Sequence, residues 1–142
     1  MKIMLVGRTG CGKTTLTQRL NKEVVKYKKT QMVSYEGDII DTPGEYIENK
    51  GYYRALNVIS MDADIIILIQ SSLDDQTLFP PNFASMFNGK KIYGVITKID
   101  IDENIEQSES DLRNAGATEI FKIGLEKIGD FHKLKEKLGV IM

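Results

Sequence analysis

The sequence has little of what would place it in a specialised class of protein. Its single cysteine excludes an internal disulfide and fits a reducing cytosol. A formal net charge of −1 argues against general nucleic-acid binding, which needs a basic surface. No apolar run approaches the roughly 18 residues of a membrane-spanning helix, and no signal peptide is recognisable. These absences favour a cytoplasmic protein with neither a nucleic-acid nor a membrane partner.

Several kinds of site also lack their residues in this sequence. It shows no metal-ligand cluster, no nucleophile triad and no carboxylate pair at glycosidase-like positions. What is present is an ordinary globular composition, 42% hydrophobic and 27% charged. The length predicts a single domain, residues 1–142, with one sizeable core.

Residues 7–14 carry the strongest signal, because they match G-x-x-x-x-G-K-[ST], the phosphate-binding P-loop. The apolar stretch 1–6 predicts a strand before the loop, and Leu16 and Leu20 are spaced as on one helix face. A glycine turn between a strand and a helix directs backbone N–H groups at one anion. Lys13 is expected to reach the β- and γ-phosphates, and Thr14 to bind Mg²⁺. The residues predicted to bind nucleotide here are Gly7, Arg8, Thr9, Gly10, Cys11, Gly12, Lys13, Thr14 and Thr15.

Two further motifs stand at predicted strand ends. Residues 41–44 match D-x-x-G, in which Asp41 is expected to hold the Mg²⁺ shell and the Gly44 N–H to face a γ-phosphate. Residues 97–100 read Thr-Lys-Ile-Asp, and the Asp100 carboxylate suits the paired N1–H and N2–H₂ donors of guanine. Adenine presents an acceptor at N1, so Asp100 favours GTP and GDP over ATP. A surface turn is the alternative for either motif.

The order of predicted elements gives the fold class. Strands and helices alternate, which predicts an α/β domain with a doubly wound, mostly parallel six-stranded sheet and helices on both faces. The tight turn at 36–37 predicts a hairpin that makes one strand antiparallel. Predicted strands cover 1–6, 31–35, 38–41, 63–70, 91–97 and 118–123. Predicted helices cover about 13–26, 45–60, 82–88, 103–115 and 130–138.

The three motifs in this order resemble those of small GTPases of the translation-factor class. More closely, the chain resembles the family of the ethanolamine-utilization P protein and the propanediol-utilization V protein. This narrower resemblance extends over nearly the whole chain, and the segments that carry it are 7–18, 94–100, Asp41-Thr42-Pro43-Gly44-Glu45-Tyr46 and Phe79-Pro80-Pro81-Asn82-Phe83. It implies a small P-loop NTPase associated with bacterial microcompartments that catabolise ethanolamine or propanediol, and the motifs above predict Mg²⁺ with GTP or GDP as its ligands, with ATP as the alternative.

The sequence departs from the usual small-GTPase pattern at three points. Thr97 stands where asparagine is commoner, and residues 122–125 replace the usual Ser-Ala loop, which leaves the backbone at Gly124 and Leu125 to contact the base. Glu45 replaces the usual water-orienting glutamine, and a γ-phosphate repels a carboxylate. We therefore predict slow intrinsic hydrolysis. The catalytic candidates are Lys13, Thr30, Gly44 and Glu45.

Thr30 is the candidate switch residue, since its hydroxyl or carbonyl could close on Mg²⁺ when a γ-phosphate is present. An ordinary loop threonine is the alternative. Residues 27–53 are the predicted surface for a microcompartment shell or catabolic enzyme partner. Cys11, near a helix N-terminus, is either a packed small residue or a redox-sensitive thiol of lowered pKa.

Two other functions fit the same residues. An ATP-dependent phosphotransferase acting on a small carboxylate such as acetate would use the same P-loop and Mg²⁺. Asp100 favours the GTPase, whereas Glu45 and the missing Ser-Ala pair leave room for the phosphotransferase. The third possibility is a nucleotide-binding scaffold with negligible turnover.

Overall fold

A computed structural model of the chain describes residues 2–13, 15–16, 19, 39–74, 76–99, 105–124 and 130–138. Its strands form one sheet and are β1 (Ile3–Gly7), β2 (Ile39–Asp41), β3 (Ile65–Ser71), β4 (Lys91–Thr97) and β5 (Glu119–Lys122). Every neighbouring pair is parallel, in the order β2-β1-β3-β4-β5. Such an order is typical of a doubly wound α/β fold.

Helices follow most of the strands. A helix begins at Lys13, directly after the glycine turn, and we call it the P-loop helix. The later helices are α1 (Glu45–Glu48), α2 (Tyr53–Ser60), α3 (Ile105–Ala115) and α4 (Phe131–Lys137), with short 3-10 turns at Lys50–Tyr52 and Phe83–Met86. Among the described residues, no helix is long and apolar enough to cross a membrane.

The predicted α/β class is confirmed, with three differences in detail. The helix predicted over 45–60 is interrupted at Asn49, whose backbone is extended, and forms α1, a 3-10 turn and α2. The described sheet has five strands, all parallel, and the predicted antiparallel strand at 31–35 lies outside the described residues.

The helix predicted near 82–88 is a short 3-10 turn, Phe83–Met86, and Asn82 before it has a left-handed backbone, with φ of 63°. Such a residue cannot continue a helix, and the turn closes through short bonds such as Phe87 N–H to the Ala84 carbonyl, 2.9 Å.

The sheet separates two apolar layers, as strand alternation requires. On one face Met4, Ile66 and Leu68 pack with Leu56 of α2 and Leu112 of α3. On the other face the layer is formed by residues of the sheet, the P-loop helix and α4, among them Leu5, Ile67, Val95, Leu16 and Leu134. Every residue of β3 is buried, which explains why this central strand begins with an aliphatic run from Ile65 to Ile69.

The parallel arrangement decides where a ligand can bind. The carboxyl ends of all five strands lie at one edge of the sheet, and the strand order reverses between β1 and β3. Ligands of doubly wound sheets bind in the crevice at this reversal. Here the edge carries the P-loop after β1, residues 41–44 at the end of β2 and residues 97–99 at the end of β4.

Candidate functional site

The P-loop is a tight turn that leads into a helix. The Cys11 N–H donates to the Arg8 carbonyl at 3.2 Å, and the Leu16 N–H donates to the Gly12 carbonyl at 3.0 Å. Gly12 has φ of +95°, a left-handed conformation that side chains rarely adopt. A Cβ there would also lie 3.3 Å from the Thr97 side chain. Glycine at this position therefore allows both the turn and the close approach of β4.

All three motifs contribute to one open cleft at the carboxyl edge of the sheet. Its lining combines the P-loop with residues from the 41–44 and 97–100 motifs, namely Arg8, Thr9, Gly10, Gly12, Lys13, Thr15, Gly44 and Lys98. The structure thus brings together residues that the sequence separates by up to 90 positions. Two P-loop residues that do not line the cleft, Gly7 and Cys11, are buried beneath the turn.

Lys13 and Asp41 meet at one side of this cleft, called the phosphate side because the sequence predicts phosphate binding there. The Lys13 Nζ lies 2.8 Å from the Asp41 Oδ1, although 28 residues separate them in the chain. Lys13 is only 8% exposed, whereas the Asp41 side chain is 39% exposed. Thr42 fixes the end of β2, because its hydroxyl and its N–H both donate to the Leu5 carbonyl, at 2.7 and 3.3 Å. The arrangement places a cation and a carboxylate side by side where a Mg²⁺–phosphate group would need both.

Arg8 is the other charged P-loop side chain. Its guanidinium lies 3.4 Å from the Asp74 carboxylate, which follows β3 and is largely buried. This pair joins the turn after β1 to the chain after β3, the two strands between which the order reverses. Asp74 thereby helps to fix one wall of the cleft.

Glu48 of α1 contacts the P-loop directly. The Thr9 hydroxyl donates to the Glu48 Oε2 at 2.9 Å, and the Thr9 N–H donates to the same oxygen at 3.3 Å. Gly44, at the start of α1, packs so closely on Thr9 that a Cβ would lie 2.3 Å from its N and Oγ1. Since no side chain fits there, Gly44 is required for this contact. Glu45, the predicted replacement for the water-orienting residue, is exposed on the same helix.

Two side chains, of Thr97 and Lys98, join the end of β4 to the P-loop, on the side of the cleft that is called the base side because the sequence predicts base contacts there. The Thr97 hydroxyl donates to the Cys11 carbonyl in a buried hydrogen bond. The Lys98 Nζ donates to the Gly10 carbonyl at 2.6 Å. Lys98 has φ of 60°, and its carbonyl accepts a hydrogen bond from Ser72 at 2.9 Å. Left-handed backbone at a lysine is uncommon, so this geometry is imposed by the surrounding contacts.

A second, mostly apolar pocket adjoins Lys98 on the base side. Its lining comes from the P-loop helix, the end of β4 and the chain after β5: Gly12, Thr15, Leu16, Arg19, Thr97, Lys98, Ile123 and Gly124. The Arg19 guanidinium donates to the Gly124 carbonyl at 3.1 Å and lies 6.0 Å from the centre of the Phe131 ring. The predicted base-contacting loop therefore begins beside the Thr97 motif. Its mostly apolar lining could accommodate a flat ring against the Lys98 stem.

The donor set fits a phosphate-bridged Mg²⁺ site. Mg²⁺ in such sites takes one or two protein oxygens, substrate phosphates and waters. Asp41 offers an exposed carboxylate beside Lys13. Within the described ranges no group of three or more His, Cys, Asp or Glu side chains could hold a metal by itself. Asp41 would thus serve as a ligand only together with phosphate oxygens.

The redox hypothesis for Cys11 receives no support from its surroundings. The side chain is 1% exposed and packs in the layer that contains Leu16. Burial raises the pKa of the Cys11 thiol, and this outweighs the opposing influence of Lys13. The lowered pKa considered from its position near a helix N-terminus is therefore wrong, because desolvation dominates. Cys11 is a packed small residue.

Some predicted site residues lie outside the described part of the chain: Thr14, Thr30, Asp100 and Leu125. Conversely, sequence reasoning missed the contacts of Glu48, Asp74 and Arg19. The signal for Glu48 was its place one turn after Gly44 on a predicted helix. Nothing local pointed to Asp74 or Arg19, because their partners are 66 and 105 residues away.

Comparison with known proteins identifies the family. The family model described as "Ethanolamine utilisation - propanediol utilisation", PduV-EutP, matches residues 1–139. The chain is 40% identical to the propanediol utilization protein PduV of Citrobacter freundii over 122 residues, 84% of this chain and 81% of that protein. It is 35% identical to the probable acetate kinase EutP of Escherichia coli K12 over 104 residues, 72% of this chain and 65% of that protein.

A more distant similarity supports the P-loop fold. The chain is 27% identical to the tRNA modification GTPase MnmE of Thermoanaerobacter sp. X514 over 151 aligned positions. These positions cover 90% of this chain and 33% of MnmE, so the chain corresponds to one third of that larger protein. The chain is thus distantly related to GTPases. Because the family model matches nearly its whole length and the two relatives above are more similar to it, the chain belongs to the PduV-EutP family.

Proposed function

We propose that this protein binds GTP and GDP with Mg²⁺, hydrolyses GTP slowly and works as a switch in ethanolamine or propanediol utilisation. The observation that carries the proposal is the single cleft lined by the P-loop, Gly44 and Lys98. A nucleotide needs a phosphate site and a base site side by side. The distant similarity to a GTPase supports the proposal that this cleft binds a nucleotide.

On the phosphate side, each proposed role follows from charge and position. Lys13 would pair with the β- and γ-phosphates, and Asp41, which contacts Lys13, would be a Mg²⁺ ligand beside it. The Gly44 N–H would face the γ-phosphate, since Gly44 lines the cleft next to Thr9. A bound Mg²⁺ would supply charge neutralisation for the phosphates. Thr14 and Thr30 are the further Mg²⁺ ligands expected from the sequence.

On the base side, we propose that Asp100 reads guanine. The two bonds from Thr97 and Lys98 to P-loop carbonyls hold the start of this motif against the phosphate site. Asp100 follows within two residues, and a carboxylate matches the adjacent donors of guanine. The backbone at Gly124 and Leu125 would contact O6, with Arg19 holding the Gly124 carbonyl.

A phosphotransferase that passes a γ-phosphoryl group from ATP to a carboxylate such as acetate is the second candidate. It is favoured by one observation, the 35% identity to a protein named probable acetate kinase. The same Lys13 and Asp41 would serve either reaction, because both reactions neutralise charge on a transferred phosphoryl group. The two candidates differ in base preference and in the phosphoryl acceptor.

Calorimetric titration with GTP and with ATP, each with Mg²⁺, separates these functions. We expect tighter binding of GTP. Incubation with each nucleotide and acetate, with acetyl phosphate trapped by hydroxylamine, then tests transfer against hydrolysis. Tighter binding of ATP together with acetate-dependent ADP formation would establish the phosphotransferase. Tight binding of GTP without turnover would leave the nucleotide-binding scaffold.

The switch itself is tested by hydrogen exchange. We expect residues 27–35 and 42–53 to gain protection with a non-hydrolysable GTP analogue relative to GDP, because only the third phosphate would hold Thr30 and Gly44. Equal protection in both states would exclude the switch. The segment 27–53 is also the surface that we propose for a microcompartment shell or catabolic enzyme partner.

A further inference from the structure

The contact between Glu48 and Thr9 places a carboxylate on a P-loop donor. Both the N–H and the hydroxyl of Thr9 donate to the Glu48 Oε2, at 3.3 and 2.9 Å. Backbone N–H groups of a P-loop are the donors that ordinarily receive phosphate oxygens. The Glu48 carboxylate oxygen, held by one such N–H and by the hydroxyl of the same residue, therefore occupies an anion position at the loop.

This anion position adjoins the place expected for the third phosphate. Gly44, whose N–H would face the γ-phosphate, touches Thr9 so closely that no Cβ would fit between them. Thr9, Gly44 and Lys13 also line the same cleft. The Thr9 donors therefore lie beside Gly44, where the proposed γ-phosphate would bind.

We propose that Glu48 competes with the third phosphate of the nucleotide for Thr9 and thereby sets the preference between GDP and GTP. The inference rests on the proposed function, since it needs a nucleotide in the cleft. Like charges so close together repel, so a γ-phosphate at Thr9 displaces the Glu48 carboxylate. A diphosphate, which lacks that group, would leave the contact in place.

Displacement of Glu48 would also act on α1 as a whole. Glu48 is the last residue of α1, and its N–H donates to the Gly44 carbonyl at 3.3 Å across the single turn of that helix. Gly44 and Glu48 therefore belong to one short rigid unit that touches Thr9 at both ends. A third phosphate attracts the Gly44 end and repels the Glu48 end, so it should rotate α1 relative to the P-loop.

The test is the ratio of GDP to GTP-analogue affinity, measured by calorimetry with saturating Mg²⁺. Glu48→Gln keeps the shape and the hydrogen-bonding oxygen but removes the charge. We expect it to raise the affinity for a non-hydrolysable GTP analogue about tenfold relative to GDP. Asp62→Asn, an exposed position after α2, removes the same charge outside the cleft and should leave the ratio unchanged.

A double-mutant cycle separates competition at Thr9 from a general charge effect. Thr9→Val removes the 2.9 Å hydroxyl contact, so the effect of Glu48→Gln on the ratio should shrink in that background. An unchanged ratio in Glu48→Gln, or an equal effect in both backgrounds, overturns the inference while the proposed function stands. If the parent protein binds neither nucleotide, the proposed function fails, and the inference fails with it.

Discussion

On the base side of the cleft, side chains donate to backbone carbonyls of the P-loop. Thr97 bonds to Cys11 and Lys98 bonds to Gly10, and Thr97 is buried. A backbone carbonyl is fixed by the turn that contains it and carries no net charge. The geometry of this side should therefore be the same whichever nucleotide is bound.

On the phosphate side, the contacts are between charged side chains or involve a carboxylate. Lys13 faces Asp41, and Thr9 donates to Glu48, which is exposed. Lys13 is largely buried, but the two carboxylates, of Asp41 and Glu48, are exposed, and contacts of exposed carboxylates contribute little to stability and are easily exchanged. An incoming phosphate competes directly for Lys13 and Thr9, so this side should respond to the charge of the ligand.

The difference between the two sides suggests a division of labour. Under the proposed function, the base side would supply selectivity, because an acceptor such as Asp100 discriminates between bases that differ in their donors. A phosphate side made of exchangeable contacts would convert the number of phosphates into a change of contacts. The predictions below test one side against the other.

Lys13→Ala should have the largest effect, on the phosphate side. Removing the cation from the β- and γ-phosphates should lower triphosphate affinity by about 100-fold or more. Calorimetry with GTP and Mg²⁺ measures this loss. Lys91→Ala, at an exposed lysine that begins β4, is the matched control and should bind as the parent does. Parental affinity in Lys13→Ala would mean that the P-loop is not the phosphate site.

Asp100→Asn should change the base preference without changing the phosphate side. The amide can donate to the C2 carbonyl of xanthine but loses one acceptor for guanine, so GTP and GDP should weaken and xanthine nucleotides gain about tenfold. Competition binding with GTP, XTP and ATP measures the shift. If GTP and XTP affinities stay in the parental ratio, Asp100 does not read the base.

Thr97→Val should break the bond between β4 and the P-loop while keeping the side-chain shape. The Cys11 carbonyl would then be buried without this partner, which costs about 1–3 kcal/mol in the free energy of unfolding. Urea denaturation measures the loss, and all nucleotides should weaken alike. Thr118→Val is the control, because the Ile92 carbonyl keeps a second donor, the Thr118 N–H at 2.9 Å. Equal losses in both variants would contradict a special role for Thr97.

Glu45→Gln should affect turnover more than binding. The Glu45 carboxylate opposes the negative γ-phosphoryl group, and an amide can both donate to and accept from the attacking water. The parent should hydrolyse GTP below the median enzyme rate of about 10 s⁻¹. In single-turnover assays the variant should match or exceed the parent rate. A large decrease would show that the carboxylate itself takes part in catalysis.

Cys11→Ala should have the smallest effect, a change in the pH dependence of the free energy of unfolding that appears only at alkaline pH. Burial raises the pKa of the Cys11 thiol, so the unfolded chain loses this proton at lower pH than the folded protein. The free energy of unfolding should therefore fall as the pH rises above the ordinary thiol pKa. Urea titrations across that range should show a shallower fall for Cys11→Ala. Tyr53, whose pKa burial also raises, is present in both proteins and cancels. Identical slopes would show that the thiol does not contribute.

Much of the architecture could be predicted because its signals are local. The apolar run of β3 reports a strand buried on both faces, and β4 at Lys91–Thr97 has the predicted bounds. The glycines of the P-loop predict a tight turn, because glycine readily adopts the positive φ that Gly10 and Gly12 have. Parallel strands share one carboxyl edge, so the motifs at those ends were expected to meet, and they line one cleft.

The sequence by itself thus determined the α/β class, the position of the P-loop and the edge at which the site forms, because each depends on short-range pattern. Tertiary structure decided which side chains meet there. Glu48 reaches Thr9 across 39 residues and Arg19 reaches Gly124 across 105. Such contacts form only when the helices pack against the sheet in one exact position. The periodicity of the sequence predicts which face of a helix is buried but not that position.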